Sequence, residues 1–169
     1  MRTLSRRFTF ASGICALMAF SASPSIAQSD PGREEVGKLE VTVYYATDGD
    51  PTAAGERAAE VSPETETKLK QLESLKFTHY RALGAETQSI LKAYENWAQP
   101  LKPSDEILVR FEARSKPQPE SVNLDLELWL SRKKILKAAV SLEHGQPLYL
   151  LGPEWRGGRL IIAIALADK

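Results

Sequence analysis

The stretch Ile107–Leu130, "ILVRFEARSKPQPESVNLDLELWL", decides the fold. Ile107, Val109, Phe111 and Ala113 alternate with Leu108, Arg110, Glu112 and Arg114. After the break "SKPQPE", Val122, Leu124, Leu126, Leu128 and Leu130 alternate with Asn123, Asp125, Glu127 and Trp129. A period of two is the mark of a strand with one face against a core. Two such runs on either side of a Pro-rich break form an antiparallel pair. The inward set is odd-numbered on one strand and even-numbered on the other, so paired residue numbers must sum to an odd value. A sum of 237 sets Arg110 beside Glu127 and Leu108 beside Trp129, but it also opposes Glu112 to Asp125; other odd sums remain open.

The same alternation extends outward from this pair. Leu39, Val41, Val43 and Tyr45 form one strand and Leu136, Ala138, Val140 and Leu142 another. "LYLL" and "RLIIAIAL" close the chain around "GPEWRGG". The last run is apolar on both faces, which predicts a central strand or one covered by the helix. "FTHYRAL" reads as a strand; Glu86–Leu101 fits a helical face as well as a strand, and its turn-rich flanks favour the strand. Ser62-Pro63-Glu64 starts a helix: Ser62 caps, Pro63 suits the first turn, and Glu64 and Glu66 complement the helix dipole. Leu69, Leu72 and Leu75 give it an apolar stripe over 63–75. "TDGDPTAAGERAAEV" has no period and reads as a long mobile loop. The expected fold is α+β, mostly β: an antiparallel sheet or sandwich of six to eight strands with one amphipathic helix.

The N-terminus has the three parts of a signal peptide. Arg2, Arg6 and Arg7 lead a 13-residue apolar run, Phe8–Phe20, followed by Ser25-Ile26-Ala27 with small residues at the positions a signal peptidase reads. That run falls short of the roughly 20 residues a membrane helix needs. Ser5-Arg6-Arg7 matches only the start of the twin-arginine pattern, since Thr9 stands where Phe is required, so the general secretion route fits better. The expected organisation is a signal peptide over 1–27, a flexible tail over 28–37 and a single β-rich domain over 38–169. Cleavage near Ala27 would place the protein in the periplasm or outside the cell. It would also remove Cys15, the only cysteine, and leave a net charge of −3. A weakly acidic surface exerts no long-range pull on nucleic acid. Without thiols there is neither a disulfide nor a thiolate metal site.

Motifs that carry chemistry are sparse. His79 and His144 are isolated, and no Gly-x-Ser-x-Gly or His-x-x-x-His spacing occurs. Asp48 and Asp50 in "DGDP" fit turn chemistry better than a calcium loop. Asp125 and Glu127 share a strand face but read as a solvated charged row. Arg132-Lys133-Lys134 reads as a solvated strand reversal, and Gly157-Gly158 as a hairpin turn rather than a phosphate cradle. The strongest binding candidates are Trp155 and Arg156 in "LGPEWRGGRL", with Trp129 on an outward row, because Trp and Arg dominate interface hot spots. The competing reading has Trp155 folded back to close one end of the sandwich.

These features favour a binding or interaction module with an envelope protein partner and no cofactor or metal. The alternatives are a carboxylate-dependent hydrolase around Asp48, Asp50 and His79, or a carrier of a small apolar ligand in a Leu/Ile-lined cavity.

Overall fold

A computed structural model describes residues 30–114, 118 and 120–167. The predicted signal peptide lies outside these residues. Two antiparallel sheets pack face to face, as alternating rows require. In chain order the elements are β1 (Glu35–Thr47), β2 (Ala59–Glu60), α1 (Pro63–Gln71), β3 (His79–Leu91), β4 (Asn96–Ala98), β5 (Ile107–Ala113), β6 (Ser121–Leu130), β7 (Lys133–Glu143), β8 (Leu148–Trp155) and β9 (Gly158–Leu166). One sheet has the order β2-β3-β1-β9-β8 and the other β4-β5-β6-β7. The ambiguous stretch after His79 is strand, in β3 and β4.

The inward rows meet between the sheets. Leu39, Val41 and Val43 of β1 and Leu160, Ile162 and Ile164 of β9 pack against Val109, Phe111, Leu124 and Leu126, all buried. The β5–β6 register is the one summing to 237, with Leu108 opposite Trp129 and Arg110 opposite Glu127. Strand β9 is central and apolar on both faces because α1 covers its far side. Leu69 and Leu75 settle against Ala46, Tyr80 and Ile161 in a second cluster.

Ser62 caps the helix as expected, its Oγ accepting from the Thr65 amide at 3.2 Å. The helix ends earlier than the leucine stripe predicts. Leu72 turns extended and exposed, and Glu73–Leu75 form a single 3-10 turn. Tyr80 holds that turn in place: its hydroxyl donates to the Leu75 carbonyl at 2.8 Å and accepts from the Phe77 amide at 2.8 Å.

Two segments read as loose are built into the fold. The expected tail is already strand from Glu35, paired with Leu91, and before it Pro31–Arg33 form a 3-10 turn. Asp30 caps that turn and also accepts from the Tyr94 hydroxyl. The long loop after β1 is pinned by Asp48, which accepts from the amide and hydroxyl of Thr78 at 2.8 and 2.9 Å. It also contains a 3-10 turn, Pro51–Ala54, and the short strand β2, which pairs with β3.

At Gly84, β3 carries a bulge opposite Val43 and Tyr44, and the turn after β4 comes down onto it. A Cβ there would lie 2.3 Å from the Pro100 carbonyl oxygen, so only glycine lets the Pro100 turn reach the sheet. Glu86 fastens the same turn, accepting from the Gln99 amide and the Lys102 ammonium. Replacing Gly84 by Ala should cost about 1–3 kcal/mol through overpacking. Gly37→Ala, whose nearest contact is Ile90 Cδ1 at 3.6 Å, should change stability by less than about 0.5 kcal/mol. Urea denaturation of the two variants checks the contrast.

Candidate functional site

The β8–β9 hairpin positions the foremost candidate residues. Trp155 pairs with Gly158, leaving Arg156 and Gly157 as a two-residue turn, both at positive φ (47° and 78°). That conformation is the one that matches the twist of a tight hairpin. Buried Tyr45 clamps the turn from the neighbouring strand, its hydroxyl donating to the Arg156 carbonyl at 3.0 Å. Gly158 makes room for this clamp, because a Cβ there would lie 2.5 Å from the Tyr45 ring.

Trp155 does both things weighed from the sequence. Its indole folds back edge-on against Tyr45, centroids 5.7 Å apart, and packs on the end of the core. It remains half-buried, and the Arg156 guanidinium lies over the indole at 4.4 Å from the centroid. Among the described residues no carboxylate is within ion-pair distance of that guanidinium. The cation–π contact orients the guanidinium while leaving its N–H donors without a carboxylate partner among the described residues.

Trp155 and Arg156 form the wall between two open depressions. One, about 500 Å³, is lined by Thr47, Asp48, Phe77, Glu154 and Arg159 beside them. The other, about 860 Å³, runs between the 54–58 loop, Leu83–Glu86 of β3 and the 99–106 turn. Its floor carries Glu86, whose carboxyl burial would raise but which the Lys102, Gln99 and Gln88 hydrogen bonds hold below the usual carboxylate range. Of the proposed catalytic trio, Asp48 lines the first of these two depressions, and Asp50 and His79 line neither. Asp50 spends its carboxylate on the Thr52 amide and hydroxyl at 2.8 and 2.6 Å, and His79 is exposed at the start of β3. Among the described residues no group of three or more His, Cys, Asp or Glu is placed to hold a metal ion.

Trp129 is not part of this site. It lies on the outer face of the second sheet against Trp97, ring centroids 5.8 Å apart, and Trp97 is the more open of the two, at 40% exposure. The outward row beneath it is not simply solvated, as the sequence suggested. Asp125 pairs with Arg114 at 3.3 Å, but Glu127 is buried. Its carboxylate accepts from Trp129 Nε1 and Lys134 Nζ, each at 3.1 Å, with Lys137 at 3.4 Å and Arg110 at 3.8 Å. Burial raises its pKa, yet these hydrogen bonds and charges carry it below the ordinary value. Tyr45, Glu86 and Trp97 escaped sequence reasoning. Tyr45 read as one more core residue and Trp97 fell in the ambiguous stretch, while nothing local marks Glu86.

No family model, curated protein or solved structure matches the chain.

A carboxylate with a depressed pKa stabilises the fold fully above its unfolded value and loses that contribution as pH falls through the folded value. Glu127→Gln should therefore be less stable than wild type at pH 7. The gap should close as the pH is lowered from about 5 to about 3, read by thermal melts across that range. A gap that persists unchanged in acid would mean the charge of Glu127 contributes nothing.

Proposed function

We propose that this protein is an exported binding module of the cell envelope that acts without a cofactor and grips its partner with the Trp155–Arg156 hairpin. The observation that carries this reading is the unpaired guanidinium stacked on a half-buried indole, held between two open depressions by the Tyr45 clamp. Such an anchor is already ordered, so a partner loses little conformational entropy in meeting it. Trp and Arg are also the residue types whose truncation costs most at interfaces. The chemistry suits an acidic side chain or a chain terminus of an envelope protein, seated on Arg156 with apolar neighbours in the larger depression. The signal-like N-terminus supports the compartment, and terminal sequencing of the exported form should begin at Gln28.

A photocrosslinker at Gln99, in the larger depression but outside the hairpin, should capture a partner of defined mass in cells. Trp155→Ala or Arg156→Ala should weaken binding to the captured protein by about 30-fold, which corresponds to roughly 2 kcal/mol at a hot spot. Binding unchanged in both variants would remove the hairpin from the interface.

A further inference from the structure

Among the described residues, two sheet edges lie unpaired on one side of the sandwich. Strand β7 is the edge of its sheet and β8 the edge of the other. Four residues, His144–Pro147, join them, a span of at most about 18 Å, so both edges run along the same flank. Among the described residues no strand pairs with the outer side of β7. The flank is less covered than a finished sandwich wall. Leu136 and Val140 of β7 and Leu148 and Leu150 of β8 pack on the core yet are only half-buried. Two of the exposed large apolar side chains, Ile135 (45%) and Leu151 (42%), lie on these same strands.

An 11-residue open edge is a template for further pairing unless it is guarded. Lysines are the usual guards. Here Lys134 and Lys137 are drawn across the outer face onto Glu127, at 3.1 and 3.4 Å, rather than standing over the edge. Ile135 is the extra residue of a bulge, since Leu136 faces Leu128 while Lys134 faces Trp129. At the far end, Glu143 has no Lys or Arg within ion-pair distance among the described residues; its carboxylate accepts only from Gln146. The edge is thus basic at its start, acidic at its end, and small at its centre, where Ala138 and Ala139 sit.

We propose that β7 pairs antiparallel with β7 of a second copy of this chain, about a two-fold axis at Ala139. This register keeps inward residues facing inward residues, as pairing must. Ala139 meets its own copy, Lys137 meets Ser141, Ala138 meets Val140 and Leu136 meets Leu142. Past the bulge, Lys134 meets Glu143, with Lys137 diagonal to the same carboxylate. Each contact occurs twice, so the interface is isologous and closed. The two four-stranded sheets become one of eight strands, and the half-exposed aliphatic row of each copy is covered by that of the other.

Sedimentation velocity and light scattering on the purified protein at 1–100 µM should find a dimer. With Cys15 replaced by Ser, Ala139→Cys should form an intermolecular disulfide on mild oxidation, because residues facing across an antiparallel pair have Cα atoms about 4.5–5.5 Å apart, within the span a disulfide bridges. Ser141→Cys, displaced by four residues from its own copy, should not. Glu143→Lys, which sets like charges opposite each other twice, should weaken the dimer by about tenfold without altering the monomer's circular dichroism. A monomer at 100 µM overturns the proposal, including the case in which a strand of another protein covers this edge in cells. So does a dimer that crosslinks equally from both cysteine positions or ignores the charge reversal.

Discussion

The facing aliphatic rows of the two sheets hold everything else in place. Leu39, Val41 and Val43 on one side and Phe111, Leu124 and Leu126 on the other are removed from water completely. No disulfide ties the described residues to one another, since none of them is a cysteine. Burying an aliphatic side chain contributes about 1.5–3 kcal/mol, whereas an exposed ion pair contributes about 0–1 kcal/mol. Register is therefore set by the core. A slip of one residue would turn every leucine of β6 outward. The charge pairs of the outer face, Arg110 with Glu127 among them, take the positions the core leaves them, even where Glu112 must stand opposite Asp125.

That hierarchy explains what the sequence could and could not reveal. Strands β1, β5, β6 and β7 were legible because one interaction, burial, writes a period of two into each, and β9 because burial on both faces makes its whole run apolar. The 237 register could be named but not singled out from the sequence, because exposed cross-strand pairs are too weak to choose among odd sums. The helix start was legible from Ser62 and Pro63, whose effect is local. Its end was not, because the 3-10 turn at Glu73–Leu75 depends on the hydroxyl of Tyr80, which comes from another element. The tail and the long loop were misread for the same reason. Asp30 and Asp48 tie them down through Tyr94 and Thr78, partners 64 and 30 residues away.

Glu127 shows the limit most clearly. Its parity puts it on the outward row beside Asp125, and parity is correct. Burial comes instead from four long side chains of β5, β6 and β7 laid over it. Strand position alone cannot encode such a lid, because each side chain could equally extend into water. At the hairpin, the sequence posed a choice between Trp155 as a plug and Trp155 as a contact. An indole has two faces and an edge, and the fold uses them separately: one part meets Tyr45 and the core while a face carries the Arg156 guanidinium.

The positions of hairpin and edge have a geometric consequence. The hairpin turn lies at the end of the sandwich where Arg159 pairs with Ala46; the β7–β8 connection lies at the other, where His144 bridges to Leu166. Pairing along the flank through β7 would therefore leave both depressions beside Trp155 open. The two-fold axis crosses the strands, so it would set the two hairpins at opposite ends of the joined sheet. Two such hairpins fixed on one rigid body would act together on a repetitive or paired partner. The second engagement then occurs at an effective concentration set by their spacing, and modest single-site affinity becomes firm attachment without any new contact. Were the hairpin the binding element proposed above, it would gain most from that arrangement, because a two-residue turn offers few side chains with which to raise affinity directly.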